Sequence, residues 1–495
     1  MNTRAFRLTD SQSHAVKELK PIEPGRLKMY SCGPTVYSYA HIGNFRTFIT
    51  ADLVIRTAEA IGWKVSYVSN ITDVGHLTQD DVADAGGEDK MERALQSKEG
   101  EAFNNVWELA EHYADAFKND WKRMNLKLPM VWPKATQHMR EQIVAVQDLV
   151  KEGHAYETPT GVYFKVDSFK DYGKLSGNRD QDQLYRGVRN VVSDENKLHP
   201  ADFALWKKDE KHLMQWFSPW GWGFPGWHIE CSVMAMRYLG DTIDLHAGGE
   251  DLIFPHHECE IAQSESLTGK PFANHWLHTR FLQVDGEKMS KSKGNFYTVR
   301  ALVDEEKIDP LALRYALMVV PYGKPLNFTR QSLRDAGQNV ERFKECDRIV
   351  DIALVKNLPG SGSLASVLEP VYEEALDAMC EDLNTSVAIA KALEGTVAIF
   401  KAGEGMNAED AKAAKAYLDK IDALLGFVRS EYSNGEVSPK SKVDEDRIHA
   451  LIEERNASKK AKNFARADEI RALLDGEGIE LRDTPDGTVW RLKSV

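Results

Sequence analysis

The chain has 495 residues, 42% of them hydrophobic, with 63 Lys and Arg against 76 Asp and Glu for a formal net charge of −13. That length allows three or four domains with substantial cores, and the acidic balance excludes binding of nucleic acid through a global basic field. No apolar run approaches the roughly 20 residues of a bilayer crossing, the N-terminus has no secretory apolar segment, and five dispersed cysteines make no disulfide framework. The expectation is a cytoplasmic protein with no membrane partner.

Residues 1–25 read as one opening strand and a loop. Arg26 to Ser31 alternates apolar and polar residues, as a strand does. Cys32-Gly33-Pro34-Thr35-Val36-Tyr37-Ser38-Tyr39-Ala40-His41-Ile42-Gly43-Asn44 follows, and Phe45, Phe48, Ile49, Leu53, Ala58 and Ile61 then recur at helical spacing until Gly62. Trp63 to Val68 alternates again. Strand, loop, helix and strand open a doubly wound α/β domain. A loop entering a helix N-terminus at a strand's carboxyl end is an anion site, because free amides and the helix dipole face one point. With the Cys32 thiol and the His41 imidazole added, a nucleotide and a second substrate are expected to meet there.

After Asn70-Ile71-Thr72-Asp73 the pattern changes. An acidic, glycine-bearing loop (Gly75 to Lys90), helical stretches near Glu101–Met124 and Lys134–Gly153 and a short strand at Val162–Val166 predict an insertion reaching to about Trp206. The second half of the nucleotide-binding fold resumes with the aromatic stretch Trp216 to Trp227, a packed loop. Gly226-Trp227-His228-Ile229-Glu230-Cys231 opens a helix that runs to Leu239 and stops at Gly240. Thr242–His246 reads as a strand, and a helix bearing Phe254-Pro255-His256-His257-Glu258-Cys259-Glu260 comes next.

His256 and Glu260, four residues apart, share a helix face. Cys32 and Cys231 both fall at the carboxyl edge of the sheet, and the four together make a Cys₂-His-Glu set suited to tetrahedral zinc. His257, Glu258 and Cys259 compete for the same role. The first two are expected on other helix faces, and Cys259 is expected to be a buried small hydrophobe.

Beyond the strand Phe281–Val284, Asp285-Gly286-Glu287-Lys288-Met289-Ser290-Lys291-Ser292-Lys293-Gly294-Asn295 sets lysines and serines between glycines. This suits a mobile loop that carries ammonium charge to a polyphosphate. Helices at Ser332–Leu354, Pro370–Met379, Val387–Lys401 and Ala408–Phe427 form a bundle. A polar linker, Ser430–Lys440, leads to two helices and a small hairpin. From Lys440 onward the chain carries 12 Lys and Arg against 12 Asp and Glu, so the −13 resides entirely in the rest. Arg455, Lys459, Lys460, Lys462 and Arg466 cluster there on one predicted helix, as either a solvated face or a phosphate-tracking patch.

His41-Ile42-Gly43-Asn44 paired with Lys288-Met289-Ser290-Lys291-Ser292 resembles the two signatures of class I aminoacyl-tRNA synthetases. Cys32 to Tyr37, Asn70 to Asp73, Gly226 to Ser232, Phe254 to Glu258, Glu260 and Asp382-Leu383-Asn384-Thr385 narrow the resemblance to the cysteinyl-tRNA synthetases. It implies a Rossmann-type class I catalytic domain (1–73 and 207–310) with a connective insertion (74–206) and a stem-contact region (311–340). A helical bundle (341–430) and a small C-terminal α/β anticodon-binding domain (440–495) would follow.

The implied activity is ATP-dependent activation of L-cysteine and its transfer to the 3′ end of tRNA(Cys) by a monomer. One zinc on Cys32, Cys231, His256 and Glu260 would select the substrate thiol, and magnesium would accompany ATP. His41, Lys288 and Lys291 would be catalytic, and Gly43, Asn44 and Ser290 would join them around ATP. Thr72, Trp227 and His246 would line the amino-acid pocket. The basic tail is then expected to meet an anticodon loop.

The chain departs from the family at Asn44, where histidine is usual, at Val74-Gly75-His76-Leu77, and at Pro321-Tyr322-Gly323-Lys324. Asn44 cannot become cationic, so altered ATP affinity is expected. A ligase joining cysteine to glucosaminyl-inositol in mycothiol synthesis shares the first half-reaction but has no use for the tail. A non-catalytic tRNA-binding paralogue should have lost the nucleotide and zinc residues, which this chain keeps.

Overall fold

The computed structural model describes residues 4–75, 77–79, 86–177, 195–290, 293–433, 436–437, 445–461, 463–476, 479–484 and 487–492. At the N-terminus β1 (Arg7–Asp10) and β2 (Ala15–Glu18) form an antiparallel hairpin where a strand and a loop are expected. The four-residue strands are too short to show alternation, and β2 is exposed throughout. β3 (Arg26–Ser31), α1 (Ile42–Ala60) and β4 (Lys64–Ser69) follow as expected, with β3 and β4 parallel.

The insertion begins with the antiparallel pair β5 (Leu77–Gln79) and β6 (Gly86–Asp89), where the glycines suggest only a loop. It continues through α2 (Lys90–Leu95), α3 (Val106–Arg123) and α4 (Met139–Lys151). β7 (Ala155–Glu157), β8 (Gly161–Phe164), β9 (Phe203–Lys208), β10 (Trp216–Ser218) and β11 (Gly221–Pro225) then make one antiparallel sheet ordered β10-β11-β9-β8-β7. This sheet crosses the expected boundary at 206/207. The aromatic stretch is therefore a hairpin, and its Gly223 lies where a Cβ would meet the Lys207 carbonyl at 1.9 Å.

α5 (Trp227–Leu239) returns the chain to β12 (Leu245–Gly249), α6 (Glu258–Thr268) and β13 (Trp276–Thr279). The central sheet is parallel with order β13-β12-β3-β4. β12 starts three residues later than expected, because the Asp244 carboxylate accepts the Ile22 and Lys28 N–H groups at 2.6 and 2.7 Å. From β3 the chain leaves one way through α1 to β4, and it comes back on the other side at β12. Ligands bind outside the carboxyl ends of the strands at such a switch point.

β14 (Leu282–Val284) and β15 (Glu287–Lys288) form a hairpin, and β16 (Leu326–Phe328), reached through α7 (Pro310–Met318), runs parallel to β14. The bundle comprises α8 (Arg330–Lys356), α9 (Ala365–Cys380), α10 (Thr385–Ala402) and α11 (Ala408–Leu425). Short strands β17 (Tyr432–Ser433) and β18 (Glu436–Val437) fall in the expected linker, and its residues 438–440 lie outside the described set. α12 (Glu445–Lys460), α13 (Phe464–Gly476) and the hairpin β19 (Ile479–Thr484) and β20 (Gly487–Leu492) enclose a small separate core around Ile452, Ile470 and Leu474. Among the described residues no helix is long and apolar enough to cross a membrane.

A buried charge network ties α1 to the bundle. Asp52 on α1 accepts from Arg56 Nε at 2.7 Å and from Arg314 of α7. The two guanidiniums also reach the carbonyls of Asn125, Ala423 and Leu425 at 2.7 to 3.1 Å. Burial opposes the Asp52 charge, but Arg314 and Arg56 outweigh it and hold its carboxyl below the usual range. Asp52→Ala leaves the buried Arg314 guanidinium without its carboxylate and Arg56 with only the longer pair to Glu431 at 3.9 Å, so a loss of about 3–5 kcal/mol is expected. A shift of the urea unfolding midpoint measures it, and an unchanged midpoint would contradict the network's role.

Candidate active site

The site starts where β3 ends. A Cβ on Gly33 would lie 1.6 Å from the Asn70 carbonyl, so only glycine lets the chain pass β4 this closely. Asn70 fixes the crossing: its Oδ1 accepts the Gly33 N–H at 2.8 Å, and its Nδ2 donates to the Thr72 hydroxyl at 3.1 Å. Thr72 and Pro34 are joined through the backbone at 3.1 Å. Cys32 and Thr72 are thus set side by side at the carboxyl ends of neighbouring strands.

Cys231 comes from the first turns of α5, His256 from the wide turn just before α6, and Glu260 from the first turn of α6. Cys32 Sγ lies 3.9 Å from Cys231 Sγ and 3.6 Å from Glu260 Oε1, and His256 Nε2 lies 2.8 Å from the same oxygen. All four are buried, and their donor atoms fall within 4.8 Å of one another. Two soft sulfurs, an imidazole and a carboxylate at this spacing fit a tetrahedral ion with bonds of roughly 2.0–2.3 Å. The other ring nitrogen of His256 meets His228 Nδ1 at 3.0 Å, and the ring stacks on Trp227 with centroids 4.3 Å apart. Such partners orient a ligand imidazole.

The electrostatics are those of groups competing for protons. Burial pushes the Cys32 thiol up, reinforced by the neighbouring Cys231 and Glu260. Burial would raise Cys231 too, but the Cys32 thiol that donates to it and the adjacent His256 bring it down to about 6. Burial alone would lower His256, yet Glu260 and Cys231 raise it to about 10. A divalent cation would take the place of these shared protons.

His257 is a correction to the sequence expectation. Its Nε2 lies 3.3 Å from Cys32 Sγ, so it borders the cluster instead of pointing away. Regular helix begins only at Glu258, and the preceding turn at Ile253–His257 is wide, with extended backbone at Phe254. Helical spacing therefore does not apply across it. Cys32, His246, His257 and Glu260 form a second set of donors within 4.8 Å. His246 Nε2 lies 2.6 Å from Glu260 Oε2, while His257 Nδ1 meets His278 Nε2 at 2.8 Å. Only the first set offers two sulfurs. Glu258 instead accepts the N–H groups of Gly173, Leu175 and Ser176, and the Cys259 sulfur lies 3.5 Å from the Tyr172 hydroxyl.

His41 caps α1. Its Nδ1 accepts the Asn44 N–H at 3.2 Å, while Asn44 Oδ1 accepts the His41 N–H at 3.1 Å. This reciprocal pair is a capping box, and it puts the ring proton on Nε2. Asn44 therefore fills its position as the partner of His41. The segment that follows the second signature meets the first here: Ile42 N–H donates to Tyr297 O at 3.0 Å, and the His41 ring packs edge-on against Phe296 with centroids 5.4 Å apart. A Cβ on Gly43 would meet the His41 ring at 2.9 Å and Met289 Cε at 3.3 Å. Lys288 ends β15, exposed, with Nζ 6.0 Å from the Phe281 ring centre, and the Ser290 N–H donates to Asn295 Oδ1 at 2.8 Å. Lys291 and Ser292 lie outside the described residues, as do His76 and Lys462.

The basic tail differs from expectation. Its cationic residues straddle two helices, since α12 ends at Lys460 and α13 starts at Phe464. Arg455 is buried and its guanidinium donates to the Thr488 hydroxyl, while Arg466 pairs with Glu454 and Glu469 at 2.9 and 2.7 Å. Sequence spacing could not show that the hairpin β19–β20 covers one side of α12.

The family described as tRNA synthetases class I (C) catalytic domain matches residues 18–338. A cysteine--tRNA ligase of Salinibacter ruber is 53% identical over 99% of this chain and 99% of its own length. One from Chlorobaculum tepidum is 41% identical over 99% and 100%. Among solved structures, a Mycobacterium tuberculosis methionyl-tRNA synthetase in complex with methionyl-adenylate has a similar fold. Its TM-score is 0.56 at 14% identity, covering 81% of this chain and 88% of that one.

Proposed function

The chain belongs to the cysteine--tRNA ligase family of class I aminoacyl-tRNA synthetases, and from that membership we propose how its residues divide the work. The reaction is an ATP-dependent ligation of cysteine to tRNA. In its first step the cysteine carboxylate attacks the α-phosphorus of ATP in line and pyrophosphate leaves. The aminoacyl group then passes to the terminal adenosine of the tRNA.

Cys32, Cys231, His256 and Glu260 hold zinc in this reading. The convergence of these four donors from three separate segments is the observation that carries it. Zinc would bind the substrate sulfur as thiolate, for which the serine hydroxyl is a poor substitute. Shape alone would separate substrates differing by so little only by about 1–3 kcal/mol. Thr72, held by Asn70, and Trp227, stacked on His256, line the cysteine pocket, and His246 steadies Glu260 from behind.

His41 directs Nε2–H at the phosphates, because Nδ1 is occupied by the helix cap. Gly43 and Asn44 give the nucleotide close backbone approach at the start of α1. Lys288, Ser290 and Lys291 bring positive charge and donors over the leaving pyrophosphate, which enters and leaves with its own magnesium. Residues 1–73 and 226–310 act as the catalytic domain and 74–225 as the insertion, whose antiparallel sheet carries the boundary from the expected 206/207 to Pro225. Residues 311–340 serve the tRNA stem, 341–430 the bundle and 440–495 the anticodon. A single chain carries both signatures and all four donors, so no second copy is needed to complete the site and we take the protein to act as a monomer; membership of a tRNA-charging family is what supports a cytoplasmic place.

The test is cysteine-dependent ATP–pyrophosphate exchange alongside metal analysis, followed by tRNA charging. One zinc per chain, exchange with cysteine but not serine, and charging of tRNA(Cys) are expected. Normal exchange by metal-stripped protein would overturn the zinc assignment. Exchange without charging would overturn the tRNA role.

A further inference from the structure

Arg46 is buried inside the catalytic domain without a carboxylate at ion-pair distance among the described residues. It sits on α1, two residues beyond Asn44, and is 2% exposed. Its guanidinium spans two elements instead. Nη1 donates to the Arg280 and Phe281 carbonyls, each at 2.9 Å, and Nη2 donates to the Lys324 and Pro321 carbonyls at 2.5 and 3.3 Å. The first pair lies just before β14, which leads into the lysine loop, and the second just before β16, the parallel neighbour of β14. Burial pushes the guanidinium down to about 10, with only the more distant Glu250 opposing. A buried cation without a paired anion is costly, and four carbonyl dipoles offset that cost only while both strands stay in place.

We propose that Arg46 is a positioning residue for adenylate formation: one planar fork ties the start of β14 and of β16 to the helix that His41 caps, and so sets the β14–β15 hairpin, with Lys288 and Met289, against the first signature. The same two residues are gripped from their other side as well. Glu250 accepts the Phe281 N–H and pairs with Arg280, both at 2.6 Å, and the Arg280 N–H donates to the Tyr322 carbonyl at 2.9 Å. With its base locked, the hairpin has its left-handed residues only at the tip, where Asp285 and Gly286 have φ of 49° and 80°. A lysine cannot reproduce this fork, because one ammonium cannot face two pairs of carbonyls on separate strands.

The proposal rests on assigning His41 and Lys288 to the nucleotide. It is tested on the zinc-loaded, full-length chain by exchange kinetics of Arg46→Lys and Arg46→Met, with trypsin cleavage at the lysine loop and thermal midpoints in parallel. The expected result is at least a tenfold rise in KM for ATP in Arg46→Met and a smaller rise in Arg46→Lys. KM for cysteine should stay within twofold and zinc content unchanged, while cleavage between residues 288 and 293 accelerates. A lower midpoint with both KM values unchanged would make Arg46 merely structural and overturn the proposal. If Arg46→Met does not fold, Arg46→Lys and Glu250→Ala, which removes the acceptor of the Phe281 N–H and the partner of Arg280, decide the matter by the same criteria. Absence of exchange in the unmodified protein would instead strike at the nucleotide assignment itself.

Discussion

Cys231→Ser is expected to strip the protein of zinc and to lower cysteine-dependent pyrophosphate exchange by more than about 100-fold. Changing a residue that only supports a ligand typically costs 10–100-fold, and Cys231 contributes a donor atom itself. Serine keeps the volume nearly unchanged, so cavity formation cannot account for the loss. What changes is chemistry: the Cys231 thiol is brought down to about 6 by Cys32 and His256, whereas a serine hydroxyl remains neutral in the same setting and is a hard, weak donor. Cys259→Ser is the control. That cysteine is equally buried and only three residues from His256, but its sulfur faces the Tyr172 hydroxyl, so zinc content and exchange should survive. Metal analysis with exchange kinetics reads both variants, and a zinc-free Cys231→Ser protein with normal exchange would refute the selection of sulfur by the metal.

His41→Asn is expected to cut kcat for exchange by about 10²–10³-fold, the range for loss of one preorganised donor at developing charge. KM for cysteine should hardly move. This substitution separates two functions of one side chain. Asparagine is among the best N-cap residues, so it can still accept the Asn44 N–H and keep the start of α1 intact. It cannot present a donor where Nε2 stands. His41→Ala should lose the same catalysis and, in addition, about 1 kcal/mol of stability with the cap, read from denaturant unfolding. Equal rates for His41→Asn and the unmodified protein would mean that His41 acts only as a cap.

Local signals carried most of the catalytic half. The strand and helix that flank Cys32 to Asn44 obey simple periodicity, and the observed β3, α1 and β4 match it closely. The convergence of Cys32, Cys231, His256 and Glu260 was legible because Cys32 closes a strand, Cys231 lies near the start of a helix, and His256 and Glu260 are four residues apart. Features that depend on distant pairing were not. The hairpin β1–β2 is too short for pattern, and β10 and β11 look like a resumption of the central fold until their partner β9 in the insertion is known. His257 was set aside by a helical rule that the turn before Glu258 breaks. Arg455 looked like part of a basic face, although the hairpin that buries it comes more than 20 residues later. Arg46 gave no signal at all, because its partners are backbone carbonyls more than 230 residues away.

The separation of the donors along the chain has a consequence for biosynthesis. Cys32 and Glu260 are 228 residues apart, and a ribosome adding about 5–20 residues per second takes roughly 10–50 s to make that stretch. During this interval the Cys32 thiol has emerged without its partners. The cluster closes where the returning strand β12 is docked beside β3, so capture of zinc by the proposed ligands would report that both halves of the sheet have assembled. Metal loading would then be a late event in the birth of the protein, and a nascent chain halted before residue 260 should hold zinc no better than the unfolded chain does.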